Sequence, residues 1–165
     1  MTSLECRLVH PDYSEALGRF FRRLVTSGTH RFFHPHPLTV EEAGVRCSYT
    51  GKDIYYLLIE SGEVIGYGML RGWDDGFAVP SLGIVIDPCQ RGRGLGRFLM
   101  ELLHRAARER GATQVRLKVY PDNSRAVELY KSMGYQFVGE HDGQLLGILE
   151  FKSDSQTQGA RWQAY

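Results

Sequence analysis

Three arginines and three glycines share one short turn of this chain, and their order suits the capture of a phosphorylated ligand. The segment reads Asp87-Pro88-Cys89-Gln90-Arg91-Gly92-Arg93-Gly94-Leu95-Gly96-Arg97, with apolar Ile84, Val85 and Ile86 before it and an amphipathic stretch after it. A strand that passes directly into a helix presents backbone N–H groups with no internal partner at the first helical turn. The helix dipole adds partial positive charge at the same end, so the turn is an anion site by construction. Gly92, Gly94 and Gly96 put no Cβ between backbone and ligand. Arg91, Arg93 and Arg97 add planar guanidinium donors suited to phosphate oxygens. The expected ligand carries a phosphate or pyrophosphate. The turn is not a P-loop, because no Gly-Lys-Ser/Thr follows, and it lacks the last spacing of the dinucleotide fingerprint Gly-x-Gly-x-x-Gly.

Two further stretches hold polar or titratable side chains. Asn123 and Tyr130 lie seven positions apart on a later helical stretch. A phenol, with an ordinary pKa of about 10, is protonated at neutral pH. The plain alternatives are a helix cap for Asn123 and a core aromatic for Tyr130. The loop Thr29-His30-Arg31-Phe32-Phe33-His34-Pro35-His36-Pro37 is the other stretch. A neutral imidazole there can accept a proton near physiological pH. Against this stands a proline-restricted loop with exposed histidines and packed phenylalanines. No nearby Cys or third His completes a metal set around His34 and His36, so no metal is expected.

The elements that position these residues follow from periodicity. Residues 5–9 read as a strand. Asp12 with Glu15 forms a capping-box pattern, and Leu17, Phe20, Phe21, Leu24 and Val25 follow helical spacing until Ser27-Gly28. Thr39 with Glu42 predicts a second, short helix over 40–49. Residues 54–60 and 63–70 form a hairpin across Ser61-Gly62. Trp73-Asp74-Asp75-Gly76 is a turn. A strand over 80–86 leads into the glycine turn, and Gly83 within it signals a bulge or a close backbone approach. Leu95, Phe98, Leu99, Leu102, Leu103 and Ala106 make one apolar stripe that ends at Gly111. A strand at 115–119 precedes a helix opened by Pro121-Asp122-Asn123-Ser124, with Ala126, Leu129, Tyr130 and Met133 on one face and Gly134 at its end. Strands at 135–139 and 145–151 follow. The order β, α, α, β, β, β, α, β, α, β, β is mixed α/β, read as one domain over 1–152 with a polar tail over 153–165.

Composition narrows the function. The chain has 165 residues, 42% of them hydrophobic and 24% charged, with a formal net charge of +1. These values suit a single packed domain and not disorder. A nucleic-acid binder generally shows a strong basic excess, and a membrane protein a long apolar run, so neither partner is expected. Cys6, Cys47 and Cys89 form neither a disulfide framework nor metal-type spacing. With no signal peptide pattern at Met1-Thr2-Ser3-Leu4, a reducing cytoplasm is the expected location.

These motifs resemble those of the GCN5-related N-acetyltransferases. The family pattern (Gln or Arg)-x-x-Gly-x-(Gly or Ala) is matched by Arg91, Gly94 and Gly96, with Val85-Ile86-Asp87-Pro88 before it and Phe98-Leu99 after it. A second match is Asn123-x-x-Ala126-x-x-Leu129-Tyr130-x-x-Met133-Gly134-Tyr135. The element order fits from residue 4 to about residue 151. The resemblance implies an α/β (α+β) fold with a mixed, mostly antiparallel central sheet of about seven strands and helices on both faces. It implies acetyl-CoA as co-substrate and splayed strands around Ile84 and Val119 to admit it. The backbone of Ile84, Val85 and Ile86 would pair with the pantetheine arm. The amides from Arg91 through Gly92, Arg93, Gly94, Leu95 and Gly96 to Arg97 would hold the pyrophosphate. Asn123 would bind the pantetheine region, and Tyr130 would stand by the thioester sulfur as general acid. A backbone N–H near Ile86 would stabilise the developing oxyanion.

The acceptor side is less determined. Many relatives place a Glu near the position of Ser81, and this chain has none there. His34, His36, Asp74, Asp75, Glu60 or a water chain are the substitutes for the base. Phe33, His34 and His36 border the acceptor site by the resemblance. The expected acceptor is a small-molecule primary amine such as an amino sugar or amino acid. The alternatives are a protein N-terminus or lysine, or a non-catalytic acyl-CoA-binding module. A homodimer is compatible with the family.

Overall fold

Ser61 and Gly62 both take positive φ, 53° and 77°. That backbone matches the twist of the strands on either side and reverses the chain tightly. It joins β2 (Ile54–Glu60) to β3 (Glu63–Arg71), the hairpin at the centre of the molecule. Both strands are apolar along nearly their whole length because helices cover both faces. The computed structural model describes residues 3–153. Around the hairpin a seven-stranded sheet runs in the order β1-β2-β3-β4-β5-β7-β6. The other strands are β1 (Leu4–Leu8), β4 (Ser81–Ile86), β5 (Gln114–Val119), β6 (Gln136–His141) and β7 (Gln144–Glu150). Every neighbouring pair is antiparallel except β4 and β5. The fold class is the expected α/β arrangement.

Two apolar layers hold the helices to the sheet. On one face α1 (Ser14–Thr26) and α2 (Val40–Cys47) bury Leu17, Phe20, Phe21, Leu24, Ala43 and Cys47 against Leu57, Tyr67, Met69 and Val85. On the other, α3 (Leu95–Glu109) and α4 (Ser124–Ser132) bury Leu99, Leu103, Val127 and Tyr130 against Leu58, Leu70, Leu82 and Leu117. Each fully buried large side chain contributes about 1.5–3 kcal/mol relative to exposure. Gly68 of β3 lets α3 sit close: a Cβ there would lie 2.9 Å from Leu99 Cδ2.

Several local expectations need correction. Asp12 does not cap α1; it lies in a 3-10 turn over Pro11–Tyr13, where its own N–H donates to His10 Nδ1 at 3.3 Å. Thr39 caps α2 as read, accepting from Glu42 N–H at 3.1 Å, but the Glu42 carboxylate turns to Arg46 instead of closing the box. Val25 is 45% exposed, since eight residues past Leu17 the helix has turned roughly 80° away. The α3 stripe is rotated: Phe98 is exposed while Met100, His104 and Ala107 are buried. Gly83 marks no bulge, because β3 and β4 stay in register through Met69↔Gly83. Nor does another backbone crowd it: the nearest atom to where a Cβ would stand is Met69 Cγ, a side-chain atom, at 3.3 Å. The polar tail read over 153–165 lies outside the described residues apart from Ser153. Among the described residues no helix is long and apolar enough to cross a membrane.

Candidate active site

The site begins where β4 and β5 part. Their register holds a single pair, Ser81↔Arg116, with Arg116 N–H donating to Pro80 O at 3.0 Å. Beyond it the strands diverge. The phase of the ladder on the other edge of β4 decides what faces the gap. Asp87 N–H donates to Ile65 O at 2.9 Å, and antiparallel pairing alternates along a strand. Val85 and Gly83 therefore turn their amides to β3, and Leu82, Ile84 and Ile86 turn theirs toward β5. The N–H and C=O groups of Ile84 and Ile86 thus edge the gap with no strand beside them.

A cavity of about 550 Å³ fills this gap. Ile84, Val85 and Ile86 line it from β4, and Lys118 and Val119 from β5. Gln90, Arg91, Gly92, Gly94, Leu95, Gly96 and Arg97 line it from the glycine turn, and Asn123, Leu129 and Tyr130 from α4 and its approach. Gly94 caps α3 in the left-handed conformation, φ 75°, with no side-chain cap. The N–H groups of the first turn are therefore left for a ligand. Around Gly92 and Gly94 no atom lies within 4 Å of where a Cβ would stand. Gly96 has a different reason: its Cβ would meet Leu129 Cδ2 at 3.2 Å, so it sets the distance between α3 and α4.

The three arginines of the turn separate. Arg91 and Arg97 line the cavity, and Arg97 Nη2 donates to Ser132 Oγ at 2.6 Å. Arg93 does not line it; it forms a two-pronged ion pair with Glu60, with Nη2–Oε1 at 2.8 Å and Nη1–Oε2 at 3.0 Å. That pairing holds the Glu60 carboxyl below its ordinary range, and Glu60 lines neither cavity of the site. Asp87, buried, receives Arg23 Nε at 2.8 Å and Cys89 N–H at 3.0 Å, which ties α1 to the start of the turn.

Tyr130 is 6% exposed. Burial pushes its phenol up to about 12, so it is protonated at neutral pH. Its hydroxyl has no hydrogen-bond partner among the described residues. Asn123 precedes α4 without capping it by its side chain, which leaves the amide free of that duty. Asn123 is therefore not used as a side-chain cap, whereas the Tyr130 ring packs in the core as its apolar position allowed, with its hydroxyl left unpartnered.

The loop between α1 and α2 reaches over to the far side of the gap. Arg31 pairs with Asp122, and His34 Nε2 lies 3.0 Å from Tyr120 Oη. Thr29, Phe32 and Phe33 line the cavity. His36 instead packs against Phe21 and Tyr67 and lines neither cavity. Its Nδ1 lies 2.7 Å from Pro37 O, which can only accept, so Nδ1 carries the proton and Nε2 accepts from Tyr67 Oη at 2.9 Å. Burial lowers its pKa, which keeps it neutral. Asp74 is occupied by Tyr49 Oη and Lys52 N–H. A second cavity, of about 700 Å³, opens on the N-terminal side of β4 and includes Ser81 and Asp75. Sequence reasoning missed this cavity, and also Thr29, Phe32, Lys118 and Leu129 in the first one. Nothing in their spacing along the chain marks them; only the fold brings them together. Among the described residues no group of three His, Cys, Asp or Glu side chains is placed to hold a metal.

The model of the acetyltransferase (GNAT) family matches residues 19–135, and the chain belongs to this family. Acetyl-CoA is the co-substrate of that family. A mycothiol acetyltransferase of Amycolatopsis mediterranei is 35% identical over 118 residues, which are 64% of this chain and 39% of that protein. The thialysine N-epsilon-acetyltransferase of Bos taurus is 29% identical over 119 residues, 63% of this chain and 69% of its own length. The chain therefore spans well under half of the first relative and about two thirds of the second. Among solved structures, the PaiA N-acetyltransferase of Thermoplasma acidophilum in complex with coenzyme A superposes with a TM-score of 0.75 at 15% identity, covering 90% of this chain and 99% of that one.

Proposed function

We propose that this protein transfers the acetyl group of acetyl-CoA to a primary amine of a small molecule, by direct attack with both substrates bound. The observation that carries this reading is the parting of β4 and β5 beside the uncapped first turn of α3. The residues present fit the co-substrate. The first-turn amides of α3, with Arg91 and Arg97, would hold its pyrophosphate. The exposed backbone edge of Ile84 and Ile86 would pair with the pantetheine arm as a missing strand would. Asn123 would bind the same arm, and Phe33 would border the acceptor.

Bound acetyl-CoA supplies an activated acetyl thioester. The chain's own groups have three tasks. An N–H of Ile84 or Ile86, already aimed into the gap, donates to the carbonyl oxygen as negative charge gathers there. The Tyr130 hydroxyl gives its proton to the sulfur as the carbon–sulfur bond breaks and the carbon–nitrogen bond forms. A base takes the proton lost by the amine. Asp75 and water in the second cavity are the groups open to it, since Glu60, Asp74, His34 and His36 already have partners.

Thermal-shift titration with acetyl-CoA, with NAD as comparison, tests the reading. At a hundredfold excess over Kd, stabilisation is about 2.7 kcal/mol, a rise of roughly 5–11 °C for a chain of this size. A comparable rise with NAD, or none with millimolar acetyl-CoA, overturns it. Release of CoA in the presence of amines then tests transfer.

A further inference from the structure

The second cavity meets the first at Leu82, Gly83 and Lys118, which line both. An acetyl group held beside β4 would therefore lie next to this second cavity. The walls of the second cavity hold Arg71, Arg116 and Lys118, against Asp75 as the one carboxylate among the lining residues. Among the described residues none of these three cations has a carboxylate partner. Arg71 Nη1 donates to Pro35 O at 2.8 Å, Arg116 lies over the Phe77 ring at 5.4 Å, and Lys118 Nζ is 3.2 Å from His141 Nδ1. Some arginines elsewhere are paired, Arg19 with Glu63, Arg23 with Asp87, Arg46 with Glu42 and Arg93 with Glu60. Three cations without a carboxylate partner thus line this one concavity, in a chain whose formal net charge is only +1.

Register sharpens the arrangement. Arg71↔Ser81 and Ser81↔Arg116 are successive partners across β3, β4 and β5. Residues directly opposite share a face of the sheet, with strands about 4.8 Å apart. The two guanidinium stems therefore rise about 10 Å apart on either side of Ser81. Two planar forks flanking a hydroxyl match the oxygens of a carboxylate or phosphate. The same field repels a polycationic amine, and concave walls strengthen it.

We propose that the second cavity is the acceptor site and that the acceptor amine also carries an oxyanion, a carboxylate or a phosphate monoester, bound by Arg71 and Arg116 and attracted by Lys118. Asp75 receives the ammonium end of such a zwitterion. This inference rests on the acetyl-transfer reading.

The test is a panel of primary amines in matched pairs with and without the oxyanion: lysine and its decarboxylated diamine, phenylalanine and phenethylamine, glucosamine phosphate and glucosamine. The carboxylate and phosphate arms separate the two sources. Transfer is followed by CoA release with wild type, Arg71→Gln, Arg116→Gln and, as a control for net charge, Arg22→Gln on the exposed side of α1. The best substrate is expected to carry the oxyanion. Its KM should rise roughly tenfold or more in either cavity variant, with less change in kcat, and by more than that of its uncharged counterpart. A best substrate without an oxyanion, or equal losses for both members of a pair, overturns the proposal. If no amine releases CoA, the transfer reading fails, and binding is read instead by thermal shift of the CoA-loaded protein. Oxyanion amines should then stabilise wild type and not Arg116→Gln; no difference from the uncharged amines overturns the inference about the cavity.

Discussion

Tyr130 and Tyr135 pack with ring centroids 5.9 Å apart, yet only Tyr135 has a partner for its hydroxyl, the buried His104 Nε2 at 2.7 Å. The two phenols share one apolar layer and differ in use. Tyr135 closes a polar pair inside the core, and Tyr130 stands at the cavity with its proton uncommitted. Tyr130→Phe removes one oxygen and no packing volume. The expected result is a fall in kcat of roughly a hundredfold, within the range for general acids, and little change in the Kd of acetyl-CoA by calorimetry. An unchanged kcat removes Tyr130 from the general-acid role.

His104 makes stability depend on pH. Burial, with Arg108 nearby, pulls its pKa from 6.5 down to about 4. The unfolded chain therefore binds a proton that the folded protein refuses between these values, and stability falls as pH drops from about 6.5 toward 4. The full effect is on the order of 3 kcal/mol. His104→Gln should flatten that part of the curve of unfolding free energy against pH, measured by urea titration. A slope identical to wild type shows that other groups cause it.

Asp87 and Arg23 couple α1 to the turn that opens α3. The Arg23 guanidinium also donates to Val64 O at 2.6 Å, so one side chain ties a helix to a strand and a carboxylate. Asp87→Asn should cost about 2 kcal/mol, as expected for a charge-assisted hydrogen bond with one partner half exposed. A double-mutant cycle with Arg23→Gln should return a coupling above about 0.5 kcal/mol. Additive losses indicate that the pair acts through separate contacts.

Gly94→Ala asks for a left-handed conformation that costs an alanine about 1 kcal/mol. No atom crowds the new methyl, so unfolding should shift by only a few degrees. Acetyl-CoA affinity should fall further than stability, because the methyl stands at the N-terminus of α3. Equal affinity in the variant places the pyrophosphate elsewhere.

Much of this molecule is readable from its residues because local physics dictates it. Ser61-Gly62 and the apolar runs beside it specify a hairpin. Thr39 specifies the start of α2. Gly94, followed by the Leu95–Leu103 stripe, specifies a helix that opens without a side-chain cap. Seven strands and four helices, and the turn between β4 and α3, follow from periodicity of two and of 3.6 together with the residues that end each run. What periodicity cannot convey is where a side chain finds its partner across the fold. Arg93 reads as a phosphate ligand until Glu60, thirty-three residues away, pairs with it. His36 reads as an exposed base until Tyr67 and Pro37 engage both its nitrogens in the core. The alignment of Arg71, Ser81 and Arg116 across three strands exists only once the sheet has paired. The sequence by itself determined the elements and the anion-binding turn, which rest on interactions a few residues long. The tertiary structure alone decided which charges are neutralised and which face a cavity, because that depends on contacts between residues far apart in the chain.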